Sequence, residues 1–338
     1  MQTFNIAVTG IGGGVGQSVI KSLYDTPYHI VGLDGDPLAV GLYAVPKAYK
    51  IPYARSEAFI PRLLEICKAE QCSLLFPGLD AELMPLSQNR HLFEEIGTRV
   101  IVSDPNVVEV SDNKMETYNR LTPHGITVPK TINLDDYLQA PVELQWPLII
   151  KQKVGGARSK NVFLVKDKQD WDNFLLNHEK DAASFIVQEY IEGDEYTCGS
   201  VNLEGVCKGV IVMRRILRDG DTYKCFVEQN PLIEETVRKV MQALQPFGAC
   251  NVQLRMKDGI PYVFEINARC SGTTASRTVC GFNEPKMIAD FLLQGIQPSY
   301  NILPKTVLRY WKELVVENDM IGQLSGTGMI ETSFNAKL

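Results

Sequence analysis

The chain lacks any paired-cysteine pattern. Its 8 cysteines (Cys67, Cys72, Cys198, Cys207, Cys225, Cys250, Cys270 and Cys280) are scattered singly through apolar segments. Without a C-x-x-C pair, a zinc ribbon or a thioredoxin-type redox motif is excluded, and the thiols read as buried and reduced. Histidine is scarce too: His29, His91, His124 and His178 are the only 4, and no Ser-His-Asp or Cys-His set is evident. Positive charge is not in excess. A formal net charge of -6 and a pI near 5.4 argue against a nucleic-acid-binding face. No apolar run approaches membrane-spanning length, and the opening MQTFNIAVTGIGGG has no basic region of the kind a signal peptide needs. These absences lead us to expect a cytoplasmic protein with no nucleic-acid or membrane partner. What remains, 45% hydrophobic and 22% charged over 338 residues, is enough for two or three compact domains of a soluble enzyme.

The first third alternates strand and helix patterns. Strands are expected over 4–9, 29–33, 73–76 and 99–102, and helices over 16–24, 56–70 and 82–95. Such alternation with short apolar strands implies a parallel sheet covered on both faces. Beyond Ser103-Asp104-Pro105 the character changes. Asp112 is expected to cap a helix reaching Pro123, with Gly125 stopping it. Pro129 and Pro141 mark a linker-like stretch. A strand over 148–151, a glycine-containing loop over 154–161, a return strand over 162–165 and a helix over 168–176 follow. Residues 185–213 read as strand, turn, strand, and the Gly/Ser/Thr-rich tail from Gln323 reads as fraying.

The densest chemistry lies in NVQLRMKDGIPYVFEINAR, residues 251–269. Lys257-Asp258-Gly259 is a hairpin turn signal between two segments of strand composition. Folding these together places Gln253 near Glu265, with Asn267 two residues further along the same face. Two amides and a carboxylate form an all-oxygen cluster of low charge. Oxygen ligands suit magnesium, which keeps waters and takes phosphate oxygens as further ligands. Arg269 follows on that face, and a guanidinium suits a phosphoryl group in transit. A merely solvated hairpin face would carry Lys, Thr and Glu here instead.

Gly10-Ile11-Gly12-Gly13-Gly14-Val15-Gly16 follows a strand and precedes a helix, with Asp34 ending the second strand. The pattern is close to a dinucleotide fingerprint, but Val15 stands where the third glycine of a strict G-x-G-x-x-G would be. An anion site and a ligand-free tight turn both fit. Asp80 and Glu82 read as solvated loop acids, with a place in a cleft as the other reading. Arg214, Arg215, Arg218 and Lys224 surround Asp219-Gly220-Asp221 in a loop after a strand over 210–213. That loop closes over phosphates, holds an acidic substrate, or is a solvated tip.

The row Gln253, Glu265, Asn267, Arg269 resembles the metal-binding end of the ATP-grasp superfamily, especially its carbamoyl-phosphate synthase large-subunit-like branch. CSGTTASR at 270–277 is similar to the Ser/Thr-rich segment after that branch's E-x-N-x-R. The resemblance implies an α/β Rossmann-like pre-ATP-grasp domain over 1–110 followed by a two-subdomain α+β ATP-grasp fold, with subdomains over 111–190 and 191–312 and a partly flexible extension over 313–338. Lys114 and Lys151 resemble the family's two phosphate-binding lysines. GGARSKNV at 155–162 looks like its phosphate-covering loop, which implies contacts from Gly155, Gly156 and Ser159, although Arg158 and Asn161 stand where glycines are common. VQEYIEGDEY at 187–196 resembles the hinge between subdomains, with backbone groups of Gln188 or Glu189 and of Ile191 on adenine and Glu195 on the ribose. By the same resemblance Gln253, Glu265 and Asn267 hold the metal and Arg269 stabilises the transferring phosphoryl group, while Arg277, which follows directly from the metal motif, is a better candidate than the 214–224 cations for holding a substrate carboxylate. The implied function is a ligase joining a small-molecule carboxylate to an amine or ammonia through an acyl phosphate, with ATP and magnesium (or manganese) as cofactors and a homodimer as the assembly. An NAD(P)-dependent oxidoreductase using the glycine-rich turn and a non-catalytic nucleotide-binding homologue are the alternatives.

Overall fold

Short apolar strands separated by helices build the first sheet, in a computed structural model that describes residues 3–140, 142, 144–155, 161–332 and 338. β1 (Phe4–Val8) leads through α1 (Gly14–Leu23) to β2 (Tyr28–Asp34) and β3 (Lys47–Lys50). α2 (Phe59–Ala69), β4 (Cys72–Phe76), α3 (Asp80–Gln88), α4 (Arg90–Glu95) and β5 (Arg99–Val100) complete the series. The five strands are parallel in the order β3-β2-β1-β4-β5. Ile6, Ala7 and Val8 of β1 and Leu74 and Leu75 of β4 are buried on both faces, as strands covered by helices on two sides must be. β3 has no apolar run of its own; KAYK is a strand because β2 pairs it. The single helix expected over 82–95 is two, meeting at Asn89.

α5 (Pro105–Asp112) and α6 (Lys114–Leu121) connect the sheets. The cap of α6 is Asn113, not Asp112: the Asn113 side chain accepts from the Met115 and Glu116 amides, while Asp112 ends α5 and takes the Gly155 amide at 3.1 Å. Gly125 does end this stretch, at φ 67°. The stretch expected as a linker is instead β6 (Thr131–Asn133) and α7 (Leu134–Gln139), held by the fully buried Leu134. β7 (Leu148–Gln152), β8 (Val162–Val165), α8 (Lys168–His178) and β9 (Phe185–Glu189) finish a four-stranded antiparallel sheet of order β6-β9-β7-β8.

The third sheet holds β10 (Asp194–Leu203), β11 (Val206–Arg218), β12 (Asp221–Val227), β13 (Gly248–Lys257), β14 (Ile260–Asn267) and β15 (Thr306–Leu308), with α9 (Pro231–Leu244), α10 (Thr274–Thr278) and α11 (Glu284–Gln294) between them. Its order is β14-β13-β10-β11-β12-β15. The cations at 214–224 do not lie in a loop. Arg214, Arg215 and Arg218 end the 13-residue β11, only Asp219 and Gly220 turn, and Lys224 is in β12. The tail also differs from expectation. From Gln323 it continues α12 (Asn318–Thr327) and then β16 (Met329–Glu331), which pairs antiparallel with β3. Leu324 and Ile330 are buried in a core shared by the first sheet and the third, and two apolar side chains thus hold α12 and β16 against the first sheet. Among the described residues no helix is long and apolar enough to cross a membrane.

Candidate functional site

A β-bulge aims the central row of side chains. Asp258 and Gly259, at φ 51° and 76°, form the two-residue turn between β13 and β14, a geometry that aspartate and glycine tolerate. A regular hairpin from that turn pairs Leu254 with Val263, as observed, and would next pair Gln253 with Phe264. The register shifts there instead, and Gln253 faces Glu265. Phe264 is the extra residue, and it flips the alternation. Val263, Ile266 and Ala268 face the core, while Glu265, Asn267 and Arg269 line the cleft. Glu265 Oε1 accepts from Gln253 Nε2 at 3.3 Å and from Asn267 Nδ2 at 3.0 Å. The amide oxygens are held by arginines: Gln253 Oε1 by Arg215 Nη2 at 2.6 Å, Asn267 Oδ1 by Arg269 Nη2 at 3.0 Å. No cluster of three or more His, Cys, Asp or Glu exists among the described residues. The donor set is thus a single carboxylate between two amides, all oxygen once the amides turn. That fits a hard cation such as magnesium that draws its remaining ligands from phosphate and water.

Lys151, on β7, meets the same strand pair and is 6% exposed. Its Nζ donates to the Phe264 carbonyl at 3.3 Å and lies 5.6 Å from the Phe264 ring centroid, so the bulged residue also supplies the lysine's seat. Burial pushes the Lys151 ammonium down to about 8, with the Glu265 charge opposing the fall. Lys114 Nζ reaches the Gly155 carbonyl at 2.6 Å. Gly156 and Ser159 lie outside the described residues.

Lys151 makes a testable prediction. Its pKa is lower folded than unfolded, so its stability term is intact above about 10.5 and is lost as pH falls through about 8. At pH 7 the penalty is about 3 kcal/mol. Lys151→Met should therefore stabilise the apo protein to urea by about 2 kcal/mol at pH 7, after allowing for the lost Phe264 contact. The gain should shrink toward pH 10.5, and the variant should no longer respond to ATP. A Met variant less stable than wild type at pH 7 would refute this account.

The hinge between β9 and β10 lines a cavity of about 220 Å³ with Lys114, Lys151, Gln188, Glu189, Ile191, Glu195, Gln253 and Glu265. The Gln188 side chain is turned away to Thr131 Oγ1 at 2.8 Å, and the Ile191 carbonyl accepts from Arg255 Nη1 at 3.1 Å. Glu195 carries two arginines its sequence neighbourhood does not announce. Arg215 meets Oε1 at 2.5 Å and Arg255 meets Oε2 at 2.8 Å, both from register partners on the adjacent strands. The signal was there in the RRILR alternation of β11, but only pairing shows which arginine faces in.

A larger cleft of about 610 Å³ adjoins this cavity, lined by Gly13–Val15, Asp80, Glu109, Asn251, Asn267, Arg269, Ser271–Thr273 and Arg309. Asp80 lines the cleft and is paired, although its side chain is 40% exposed. Its carboxylate clasps Arg269 across the domain boundary, Oδ1 to Nε at 2.7 Å and Oδ2 to Nη2 at 2.9 Å. Burial acts to raise Asp80, and Arg269 and then Lys114 overcome it to hold it low. Glu82 is also misread by sequence: it is 2% exposed, accepts from Thr9 Oγ1 at 2.6 Å and from the Gly78 and Leu79 amides, and burial pushes it up to about 7.

Arg277 does not reach the cleft. It is 1% exposed and pairs with the fully buried Glu284 at 2.7 Å. Its Nη2 alone donates to Thr197 Oγ1 and Asn251 Oδ1, its Nε is buried without a partner, and a Cβ on Gly199 would clash with the pair at 2.5 Å. A charge this enclosed is a structural partner, not a substrate contact. The glycine-rich turn does open on the cleft, but Asp34 is engaged by the Gly12 and Asp36 amides at 2.7 and 3.0 Å. The acid a dinucleotide's ribose would need is spent on the loop. Gly16 is required by packing, since a Cβ there would lie 2.3 Å from the Gly10 oxygen.

A family model described as "ATP-grasp in the biosynthetic pathway with Ter operon" matches residues 181–313, and one described as "PylC-like, N-terminal domain" matches residues 6–101. Beta-citrylglutamate synthase B of Danio rerio is 30% identical over 222 residues, covering 60% of this chain and 52% of that protein. D-alanine–D-alanine ligase A of Bacillus cereus is 29% identical over 170 residues, 46% of this chain and 54% of its own. The chain thus spans about half the length of these curated relatives. N5-carboxyaminoimidazole synthetase from Staphylococcus aureus, solved with ADP, superposes with a TM-score of 0.75 at 16% identity, covering 91% of this chain and 83% of that one. An ATP-grasp domain, matched over residues 181–313, thus follows a PylC-like N-terminal domain, matched over residues 6–101.

Proposed function

We propose that the protein is an ATP-dependent carboxylate–amine ligase acting through an acyl phosphate. The observation that carries this reading is the junction of the two cavities, both lined by Lys114, Arg215, Gln253 and Glu265. A nucleotide in the smaller one, with its base at Ile191 and its phosphates at Lys151 and Lys114, presents its terminal phosphate to the larger. Glu265, with Gln253 and Asn267, would hold magnesium, which neutralises charge on the β- and γ-phosphates. The acceptor's carboxylate oxygen attacks the γ-phosphorus, and the bond to the ADP oxygen breaks. An amine or ammonia then attacks the acyl carbon, expels inorganic phosphate and loses a proton, leaving an amide. Arg269 faces the group in transfer, and Arg277 is no part of this chemistry. The similarity to proteins named synthase and ligase supports the reading. A cytoplasmic setting belongs to it, supported by eight free cysteines, seven of them buried, and so does a homodimer, which light scattering would measure.

Magnesium ATP should stabilise the protein thermally and NAD should not; a ligand at a hundredfold over its dissociation constant adds about 2.7 kcal/mol. Amino acids and sugar acids screened with magnesium ATP and hydroxylamine should then include one that yields ADP and a hydroxamate, the trapped acyl phosphate. Stabilisation by NAD alone would sink the reading and revive the oxidoreductase.

A further inference from the structure

The cations lining the larger cleft are Lys114, Arg215, Arg269 and Arg309. Arg215 is paired with Glu195 and Arg269 with Asp80, and Lys114 also lines the nucleotide cavity. Arg309 lines the larger cleft and not the smaller. Arg309 takes part in none of the ion pairs found among the described residues, whereas Arg215 and Arg269 do. Its Nη1 donates to the Thr222 carbonyl at 2.8 Å and its amide to the Tyr223 carbonyl at 3.1 Å. Backbone contacts thus fix the side chain on the wall and leave other guanidinium donors for a ligand.

Position separates this group from the phosphoryl chemistry. Arg309 directly follows β15, at the opposite edge of the third sheet from β14 and Glu265. The edges are five strand spacings of about 4.8 Å apart before twist shortens the path. An anion on Arg309 is therefore not the carboxylate being phosphorylated beside Glu265. Lys21 of α1 adds to the local field: burial first, and then the Arg309 and Lys312 charges, hold its ammonium below the ordinary range.

We propose that Arg309 anchors a second anionic group of the acceptor, a carboxylate or a phosphate, so that the substrate is a polyanionic acid and not a simple monocarboxylate. The proposal rests on the ligase reading for what an acceptor is, and deepens it by naming the acceptor's class.

Thermal melting in saturating magnesium AMP-PNP, with the phosphate sites filled, tests it. Inorganic phosphate and glutarate are the probes, and sodium chloride at matched ionic strength is the control. One probe or both should raise the wild-type melting temperature by about 2 °C at tenfold over its dissociation constant, and the stronger one tells whether the second group is phosphate or carboxylate. Arg309→Met should weaken that binding roughly 10- to 100-fold while keeping the full response to magnesium AMP-PNP. Should the methionine variant not fold, Arg309→Gln, whose amide can keep the Thr222 bond, takes its place. A wild type indifferent to both probes, or a folded variant that binds them as wild type does, overturns the proposal. A wild type indifferent to magnesium AMP-PNP counts against the ligase reading instead.

Discussion

Glu265→Ala is expected to lower ATP turnover by roughly a thousandfold or more, because several kcal/mol of metal-borne charge stabilisation goes with it. Glu265 is the only carboxylate in the row Gln253, Glu265, Asn267, and both amides donate to its Oε1. Removing it leaves magnesium two neutral ligands and leaves the amides without their common acceptor. It also removes the charge that opposes the fall of the Lys151 pKa, so fewer Lys151 side chains are charged to meet phosphate. The fold should survive, since Glu265 faces the cleft and the core side of β14 is carried by Val263 and Ile266. Joint substitution of Gln253 and Asn267 by alanine should act in the same direction. ADP release by coupled assay and the melting curve of the apo protein measure the two halves separately. Turnover within tenfold of wild type would remove Glu265 from the metal site.

The hairpin row could be read from sequence because every element of it is local: turn residues, alternation and spacing lie within nineteen residues of one another. Even there the bulge at Phe264 was invisible. The facing of Gln253 and Glu265 was expected from their proximity, but a strict two-residue hairpin would have put Glu265 on the core face. What sequence could not supply was any feature made by two distant segments. Asp80 and Arg269 are 189 residues apart, so nothing near Asp80 says that it is paired. Arg277 looked like a ligand for the converse reason: charge suggests exposure, and its burying partner Glu284 comes seven residues later, on another helix. β3 and β16 failed for want of local signal, since KAYK and MIE become strands only by pairing. β1, β2 and β4 were legible because most of their residues are buried on both faces, and that writes an apolar run into the chain.

Arg269→Lys should leave the ATP KM within about threefold of wild type and lower kcat roughly 100- to 1,000-fold. The guanidinium has five N–H donors. Nε and Nη2 carry the Asp80 carboxylate, Nη2 also meets Asn267 Oδ1, and Nη1 donates to the Cys270 carbonyl at 3.0 Å. One Nη1 hydrogen is left, on a side chain 9% exposed beside the metal row. The fork is locked in orientation by four contacts, and on the proposed reading its last donor would meet charge that develops on the transferring phosphoryl group. An ammonium has three donors and no plane. It can hold Asp80 or face the phosphoryl group, but it cannot be fixed by the first while serving the second. Because that last contact gains strength as charge moves, its loss belongs to kcat and not to ground-state binding. A variant that binds ATP normally and turns over at the wild-type rate would make Arg269 a clasp between domains and nothing more.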